Sequence, residues 1–386
     1  MGRLCACSDY AKRFWRRGIA RAKGLFRPAC HPFAGRVVSV AARRPGPPSI
    51  TISWDEMGKK YCILGGGGSF GIHAAMYLLD HAEPEKVIGV GRNPLRPGPF
   101  SLGIEKRPRY EYHARHVTHE LDLLLELLDK EKPQVIVNFA AQGEGAVSWK
   151  HSWRFFETNS MALARLSEEL MKRDWLERFI QIGTSEMYGS VDHASKEDEP
   201  IKPSSPYAAS KVAFDMYLES VFRFQKFPMN VIRPSNAYCP GQLLHRVIPK
   251  AIVAGLTGRK LPLHGGGRAE KSYIHARDLG RAILLVADKA PLGKIYNAGP
   301  KLPTSIREVV ERCAGALHIP FEQLCEMSPD RLGQDSRYWL DSSAIKKDVG
   351  WEPEIGWDEG LAEMADWGKT YLDELRDWPT EYVLRA

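Results

Sequence analysis

The sequence predicts an α/β protein built on a doubly wound parallel sheet, and three observations carry that expectation. A short apolar strand, Tyr61 to Leu64, runs into a glycine-rich turn and then an amphipathic stretch. Further short apolar runs alternate with helical stretches along most of the remaining chain, the pattern of a parallel sheet covered by its crossover helices. Small and polar residues stand where those runs stop, and in open α/β sheets that is where ligands bind.

Taken in order, residues 1–56 contribute nothing to this pattern. They hold 11 Lys and Arg against 3 Asp and Glu, pass through a Pro- and Arg-rich stretch at 41–48, and lack a long apolar h-region. They read as a basic, disordered extension or as the product of an upstream start, since Met57-Gly58-Lys59-Lys60 directly precedes the first strand. The turn that follows this strand is Gly65-Gly66-Gly67-Gly68-Ser69-Phe70-Gly71, with Gly65, Gly68 and Gly71 at three-residue spacing. A turn without Cβ atoms lets a pyrophosphate approach the N–H groups of a helix start. Gly65, Gly68, Ser69, Phe70 and Gly71 are therefore the candidates for holding a dinucleotide in a Rossmann arrangement.

The strand Lys86 to Val90 ends in Gly91-Arg92-Asn93. An NAD site usually has an acid here for the ribose hydroxyls, whereas Arg92 suits a 2′-phosphate, so the expected cofactor is NAD or NADP with a lean towards NADP. The buried run Val135 to Val137 leads to Asn138-Phe139-Ala140-Ala141-Gln142, where Ala140 and Ala141 are small enough for a flat ring to lie against the backbone. A helix is expected over Trp153 to Met171; it carries Thr158, a further cofactor candidate, and its Trp153, Phe155 and Phe156 are expected in the core.

Arg178 to Ile182 form the next strand, which runs out at Gly183 and leaves Thr184, Ser185 and Glu186 at its carboxyl end. Beyond a polar loop, Tyr207 and Lys211 lie four residues apart, on one face of a helix. With 14 tyrosines, about one Tyr-x-x-x-Lys is expected by chance and the chain has one, so its weight comes from its place downstream of the strand-end triplet and the glycine turn. A phenol with its ordinary pKa near 10 is a poor base at neutral pH. Bringing it near 7 takes roughly 4 kcal/mol, which an ammonium about 4 Å away supplies at an intermediate dielectric. Tyr207 is thus read as a base and Lys211 as the cation that tunes it.

After the helix Val212 to Phe224, Met229 to Ile232 make another strand, and Arg233 to Gly241 break the regular pattern. A helix over about Val247 to Leu256, the run Leu261 to His264 and a glycine turn at 265–267 follow. Lys271 to His275 and the helix Ala276 to Asp288 return to the α/β alternation. Ser305-x-x-Glu308 is a capping box opening a helix to Leu317, and a last helix is expected from about Trp357 to Leu375.

With 386 residues and 44% hydrophobic composition the chain can hold one or two domains. No apolar run approaches the length needed to cross a bilayer, so a soluble protein with no membrane partner is expected. The net charge of +7 resides in the extension; the rest carries 43 basic against 44 acidic residues, which gives no support to nucleic-acid binding. The seven cysteines are scattered without a Cys-x-x-Cys pair, so no metal site and no disulfide framework is expected, and a reduced, cytoplasmic compartment fits.

In their order, the motifs ILGGGGSFG, NFAAQ, FFETN, GTSEMYG, SPYAASK, RPSNAYCPGQLLHRVIP, EKSYIHARDLGRAI, IYNAGP and DRLGQDSRYWLDSSAIKKDVGW resemble the extended short-chain dehydrogenase/reductase enzymes that modify nucleotide sugars. Within that NAD-dependent epimerase/dehydratase family they resemble the dTDP-glucose 4,6-dehydratases, over roughly residues 59–376. The resemblance implies a dinucleotide-binding domain over 57–240 with about 270–300, and a smaller α/β substrate-binding domain over 241–268 and 301–386. It also implies a homodimer formed through the helices Trp153 to Met171 and Ser210 to Phe224. By the same resemblance Tyr207 takes the proton of the sugar 4-hydroxyl as hydride leaves C4 for the nicotinamide, and Thr184 hydrogen-bonds that oxygen. Glu186 then removes the C5 proton as water leaves C6, and the hydride returns to C6. Asn236, Arg246, Lys271, Asn297 and Arg331 would hold the nucleotide diphosphate.

Three departures accompany it. Ser185 stands where the dTDP-glucose enzymes carry the Asp that protonates the departing 6-hydroxyl, although GDP-mannose 4,6-dehydratases and UDP-glucuronate decarboxylases share the Thr-Ser-Glu order. Gly91-Arg92 replaces the usual NAD carboxylate. Lys271 replaces an Arg, and Gln334 a His. The alternatives on the same scaffold are a 4-epimerase or a decarboxylase, and outside catalysis a silent sugar-nucleotide-binding protein. Glu186 favours dehydration, because a simple 4-epimerase removes no C5 proton.

Overall fold

The apolar runs, too short for helices, become strands covered on both faces. In the computed structural model, which describes residues 58–96, 98–329 and 337–382, β1 (Lys60–Leu64) is followed by α1 (Ser69–His81), β2 (Lys86–Gly91), β3 (Tyr110–Ala114), α2 (Leu121–Glu131) and β4 (Val135–Asn138). Then come α3 (Ser152–Phe156), α4 (Ala162–Leu170), β5 (Arg178–Ile182), α5 (Pro206–Gln225) and β6 (Met229–Pro234). The chain continues through α6 (Val247–Thr257), α7 (Ala276–Lys289), β7 (Ile295–Ala298), α8 (Ile306–Leu317) and α9 (Trp357–Thr370). The extension 1–56 and Arg331 lie outside the described residues.

The seven strands form one sheet in the order β7-β6-β5-β4-β1-β2-β3, with every pairing parallel. The order turns around between β1 and β4, and the crevice there opens at the carboxyl ends of the strands. Alternation along each strand feeds two separate cores. Tyr61 and Ile63 of β1 pack with Ile72 and Leu78 of α1 and Leu279 and Ile283 of α7. Cys62 and Leu64 face the other way, towards Leu124 and Leu128 of α2, Leu163 and Leu166 of α4, and Phe214 and Leu218 of α5. Each such fully buried aliphatic side chain contributes about 1.5–3 kcal/mol.

A third core lies apart from the sheet. It joins Ile248 and Ile252 of α6, Val309 and Cys313 of α8, Leu361, Met364 and Trp367 of α9, and Phe100 from the segment after β2. The Trp367 indole donates to Pro99 O at 2.9 Å, which ties that early segment to the last long helix.

Three features differ from expectation. β3 and α2 were not foreseen; β3 is an edge strand with no fully buried residue and so lacks an apolar signature. The helix over 153–171 exists but contains a π turn, Glu157–Met161, and only Phe155 of its three aromatics is core, Trp153 being 65% exposed. The 3.6-residue period points position 155 inward and 153 outward. The run Lys271 to His275 splits at Ser272 into Glu270–Lys271, which pairs with Thr304–Ser305, and Tyr273–His275, which pairs with Asn236–Tyr238. Of the expected capping box the Ser305 half is present, Ser305 Oγ accepting from the Glu308 N–H at 3.1 Å, while the Glu308 carboxylate accepts from Arg312 Nη2 at 2.7 Å.

Candidate active site

β5 ends at Ile182, and the next position is glycine for lack of room. A Cβ on Gly183 would stand 3.0 Å from the Asp215 carboxylate and 3.0 Å from Arg233 Cγ. Thr184 then caps a short 3-10 turn, Ser185–Tyr188, its hydroxyl accepting from the Glu186 N–H at 3.2 Å. This turn presents Thr184, Ser185 and Glu186 to a cavity of about 440 Å³. Gly145 lies beside this carboxylate, a Cβ there being in ordinary contact with Glu186 Oε2 at 3.5 Å.

α5 begins where Ser205 accepts from the Ala208 N–H at 3.1 Å, with Pro206 in the first turn. Tyr207 follows, and Lys211 and Asp215 succeed it at one-turn intervals on the same face. Tyr207 and Lys211 line the same cavity as the strand-end triplet, and the Thr184 side chain lies within hydrogen-bonding reach of the phenol. The electrostatics differ from the expectation that Lys211 lowers this phenol. Burial, and after it the Glu186 carboxylate, push Tyr207 above its ordinary value, against Thr184 and Arg246. Lys211 instead donates to Ile182 O at 2.6 Å, and burial brings its ammonium from 10.5 down to about 8, with Asp215 opposing. Asp215 is raised by its own burial, while Arg233, 3.4 Å away, pulls the other way.

Asn236, Arg246 and Lys271 line the same cavity. Arg246 Nη2 donates to Gly143 O at 2.6 Å and Nη1 lies 3.5 Å from Glu144 Oε2. Asn236 Nδ2 donates to the Tyr338 hydroxyl at 3.0 Å, and Lys271 Nζ stands 5.3 Å from the centre of that ring. Asn297 is a correction, because it does not reach the cavity. Its side chain is fully buried, donating to Ser195 O at 2.8 Å and accepting from the Tyr188 hydroxyl at 2.9 Å, while its N–H meets Glu197 Oε1 at 2.7 Å. Sequence reasoning missed Glu144, Gln242, His245 and Tyr273, which also line the cavity. None of them belongs to a spacing that announces a site.

A second cavity, of about 240 Å³, shares Phe139 and Ala141 with the first. Gly65, Gly68, Arg92, Ala140 and Thr158 line it. Gly65 has φ +82°, and a Cβ on it would be 2.7 Å from Ala140 N; one on Gly71 would be 2.5 Å from Gly65 O. Gly71 therefore lines neither cavity but lets α1 close on the turn. Ser69 opens α1 and its hydroxyl bonds the Cys239 thiol, while Phe70 lines the first cavity. Gly68 at the N-cap offers no side-chain cap, so the first-turn N–H groups are left to an anion. A glycine cradle, a helix start and a flat alanine wall fit a dinucleotide.

Turn, crevice and Tyr207–Lys211 face together define a dinucleotide-dependent α/β enzyme. The chain belongs to the NAD dependent epimerase/dehydratase family, which it matches over residues 61–299. It is 27% identical over 352 residues to the dTDP-D-glucose 4,6-dehydratase of Mus musculus, covering 88% of this chain and 95% of that one. Among solved structures, the dTDP-glucose 4,6-dehydratase of Bacillus anthracis in complex with NAD is 29% identical with a TM-score of 0.73, over 81% of this chain and 97% of that one. DesIV, the dTDP-glucose 4,6-dehydratase of Streptomyces venezuelae with NAD and TYD bound, is 28% identical with a TM-score of 0.74, over 81% and 97% of the two chains.

Proposed function

We propose that this chain is a nucleotide-sugar 4,6-dehydratase acting on dTDP-glucose or a sugar nucleotide of the same kind. The observation that carries the reading is Glu186, whose carboxylate stands in one cavity with the Tyr207 phenol and close enough to raise its pKa. A nicotinamide dinucleotide, when bound, supplies the acceptor and donor of hydride. Tyr207 takes the proton of the sugar 4-hydroxyl as a phenolate, a form that its burial beside Glu186 opposes and that the positive charge of a bound oxidised nicotinamide would favour, and Thr184 hydrogen-bonds the same oxygen. Lys211 anchors the strand end that carries Thr184 through its bond to Ile182 O. A carbonyl at C4 acidifies the neighbouring C5–H, and Glu186 takes that proton. Ser185 is too weak an acid to protonate the departing 6-hydroxyl, so it orients that group and the proton it leaves with is the one Glu186 has acquired. Asn236, Arg246 and Lys271 engage the diphosphate. A 4-epimerase has no use for a carboxylate at this position.

Incubation of the purified chain with dTDP-glucose, GDP-mannose, UDP-glucose and UDP-glucuronate, followed by product mass, tests this. Loss of one water from a hexose nucleotide is expected; loss of carbon dioxide, or an inverted centre at unchanged mass, would replace the dehydratase by a decarboxylase or an epimerase.

The domain division at 57–240 with 270–300 against 241–268 and 301–386 is supported by the third core, whose buried members apart from Phe100 and Tyr238 come from the later segments. A homodimer is supported by the apolar side chains on the neighbouring helical elements of the site, Trp153 at 65%, Met161 at 65% and Met216 at 57% exposure. Trp153→Glu with Met216→Glu should give a monomer in sedimentation; a wild-type chain that already sediments as a monomer rules the dimer out. A reducing, cytoplasmic compartment is supported by Cys62, Cys239, Cys313 and Cys325, all free and buried. No helix among the described residues is long and apolar enough to cross a membrane.

A further inference from the structure

β2 stops at Gly91, the position from which an NAD site presents its ribose carboxylate, and Arg92 and Asn93 follow. A Cβ on Gly91 would lie 2.5 Å from the Tyr112 hydroxyl, and one on Gly67 of the glycine turn would lie equally close, at 2.5 Å. That hydroxyl donates to Asn93 O at 2.6 Å. The phenol is therefore lodged between the turn and the strand end, and any side chain at 91 would force it off the carbonyl that it holds. Its bond fixes the Arg92-Asn93 corner at the rim of the second cavity. Arg92, Arg96 and Arg115 line that cavity, and among its described lining residues there is no Asp or Glu. The Arg115 N–H donates to Gly91 O at 2.8 Å, so this arginine is registered on the same strand end. Burial, His119 and Arg92 hold the nearby His116 below its ordinary value, against the carboxylates of Glu120, which accepts from the His116 N–H at 2.7 Å, and Glu157.

We propose that the chain binds NADP in preference to NAD, with Arg92 and Arg115, assisted by Arg96, taking the 2′-phosphate. This rests on reading the second cavity as the adenosine side of the dinucleotide site, and on this point the chain departs from the relatives solved with NAD. Guanidinium and phosphate match in shape as well as charge, and the ribose hydroxyls of NAD would meet donors where they need an acceptor.

The test needs no turnover. Nucleotide released by denaturing the freshly purified full chain should be NADP or NADPH by mass. In calorimetry on the stripped protein, 2′,5′-ADP should bind at least tenfold more tightly than 5′-ADP. Arg92→Ala and Arg115→Ala should each weaken 2′,5′-ADP by about tenfold or more, as for a lost charge-assisted hydrogen bond, and 5′-ADP by less than about threefold. Release of NAD, or equal affinity for the two adenosine phosphates, overturns the preference and leaves the dinucleotide site standing. Binding of neither compound overturns both.

Discussion

Lys211 is 3% exposed, with its ammonium on the Ile182 carbonyl at 2.6 Å and its pKa brought from 10.5 to about 8. Below pH 8 the folded chain carries the full cost of burying this charge. Between 8 and 10.5 only the unfolded chain stays protonated, so the residue makes stability rise with pH across that window, by at most about 3 kcal/mol. Lys211→Met should abolish turnover and also remove this rise in denaturant titrations; a variant that keeps the wild-type slope would falsify the assignment of a buried ammonium. Tyr207→Phe should lower turnover by about 10²–10⁴ while nucleotide binding survives, and near-normal rates would move the base elsewhere. Glu186→Gln should stop exchange of the sugar C5 hydrogen with deuterated solvent, whereas Ser185→Ala should stay within about tenfold of wild type, the loss of one neutral hydrogen bond. Equal loss in the two variants would make position 185 the acid. Thr184, Glu186, Tyr207 and Lys211 were legible in the sequence because a strand end and a helical spacing are local properties. Asn297 was misread because the direction of its amide depends on Tyr188 and Ser195, each some hundred positions away.

Among the elements, the strand–turn–helix of β1 and α1 is the most fully encoded. Gly65 and Gly71 meet each other across the turn, and Gly71→Ala has to push α1 away from Gly65 O, a Cβ contact of 2.5 Å. The expected cost is about 1–3 kcal/mol with weakened dinucleotide binding. Gly315→Ala in α8 is the control: a Cβ there meets nothing within 4 Å, and a gain of about 0.5–1 kcal/mol is expected. If the two variants melt alike, helix propensity rather than the close approach governs α1. The π turn Glu157–Met161 was not legible. It buries Asn159, which accepts from the Gln142 N–H at 2.7 Å and donates to Gln142 O at 3.0 Å and to Ser210 Oγ at 2.9 Å, tying the β4 exit to α5. Periodicity reveals a helix, but only its tertiary partners reveal an extra residue within it.

For the whole molecule, the sheet, its two flanking cores and the later helices follow from alternation and length, while the third core and its tie to Pro99 do not, being long-range. The molecule also buries two imidazoles together. His73 is held down to about 4 and His275 to about 3, chiefly by burial, with their rings edge to face at 6.1 Å. Glu363 lies 3.4 Å from His275 Nε2, yet Arg277 engages that carboxylate and itself disfavours a second cation. Both histidines stay neutral in the fold and protonate in the unfolded chain below about 6.5, so stability falls as pH drops through the window from 6.5 to about 4. Near pH 5 each should account for about 2 kcal/mol of loss; His73→Gln, which keeps a donor for Pro240 O, should recover one such share in urea titrations at pH 5 relative to pH 7. The bond from Trp367 to Pro99 spans 268 positions. A ribosome releases the socket long before the plug, so the greasy walls of α6 and α8 wait uncovered until the last long helix emerges. Premature termination ahead of residue 357 would thus yield a chain whose sheet can form but whose uncovered α6 and α8 faces invite aggregation.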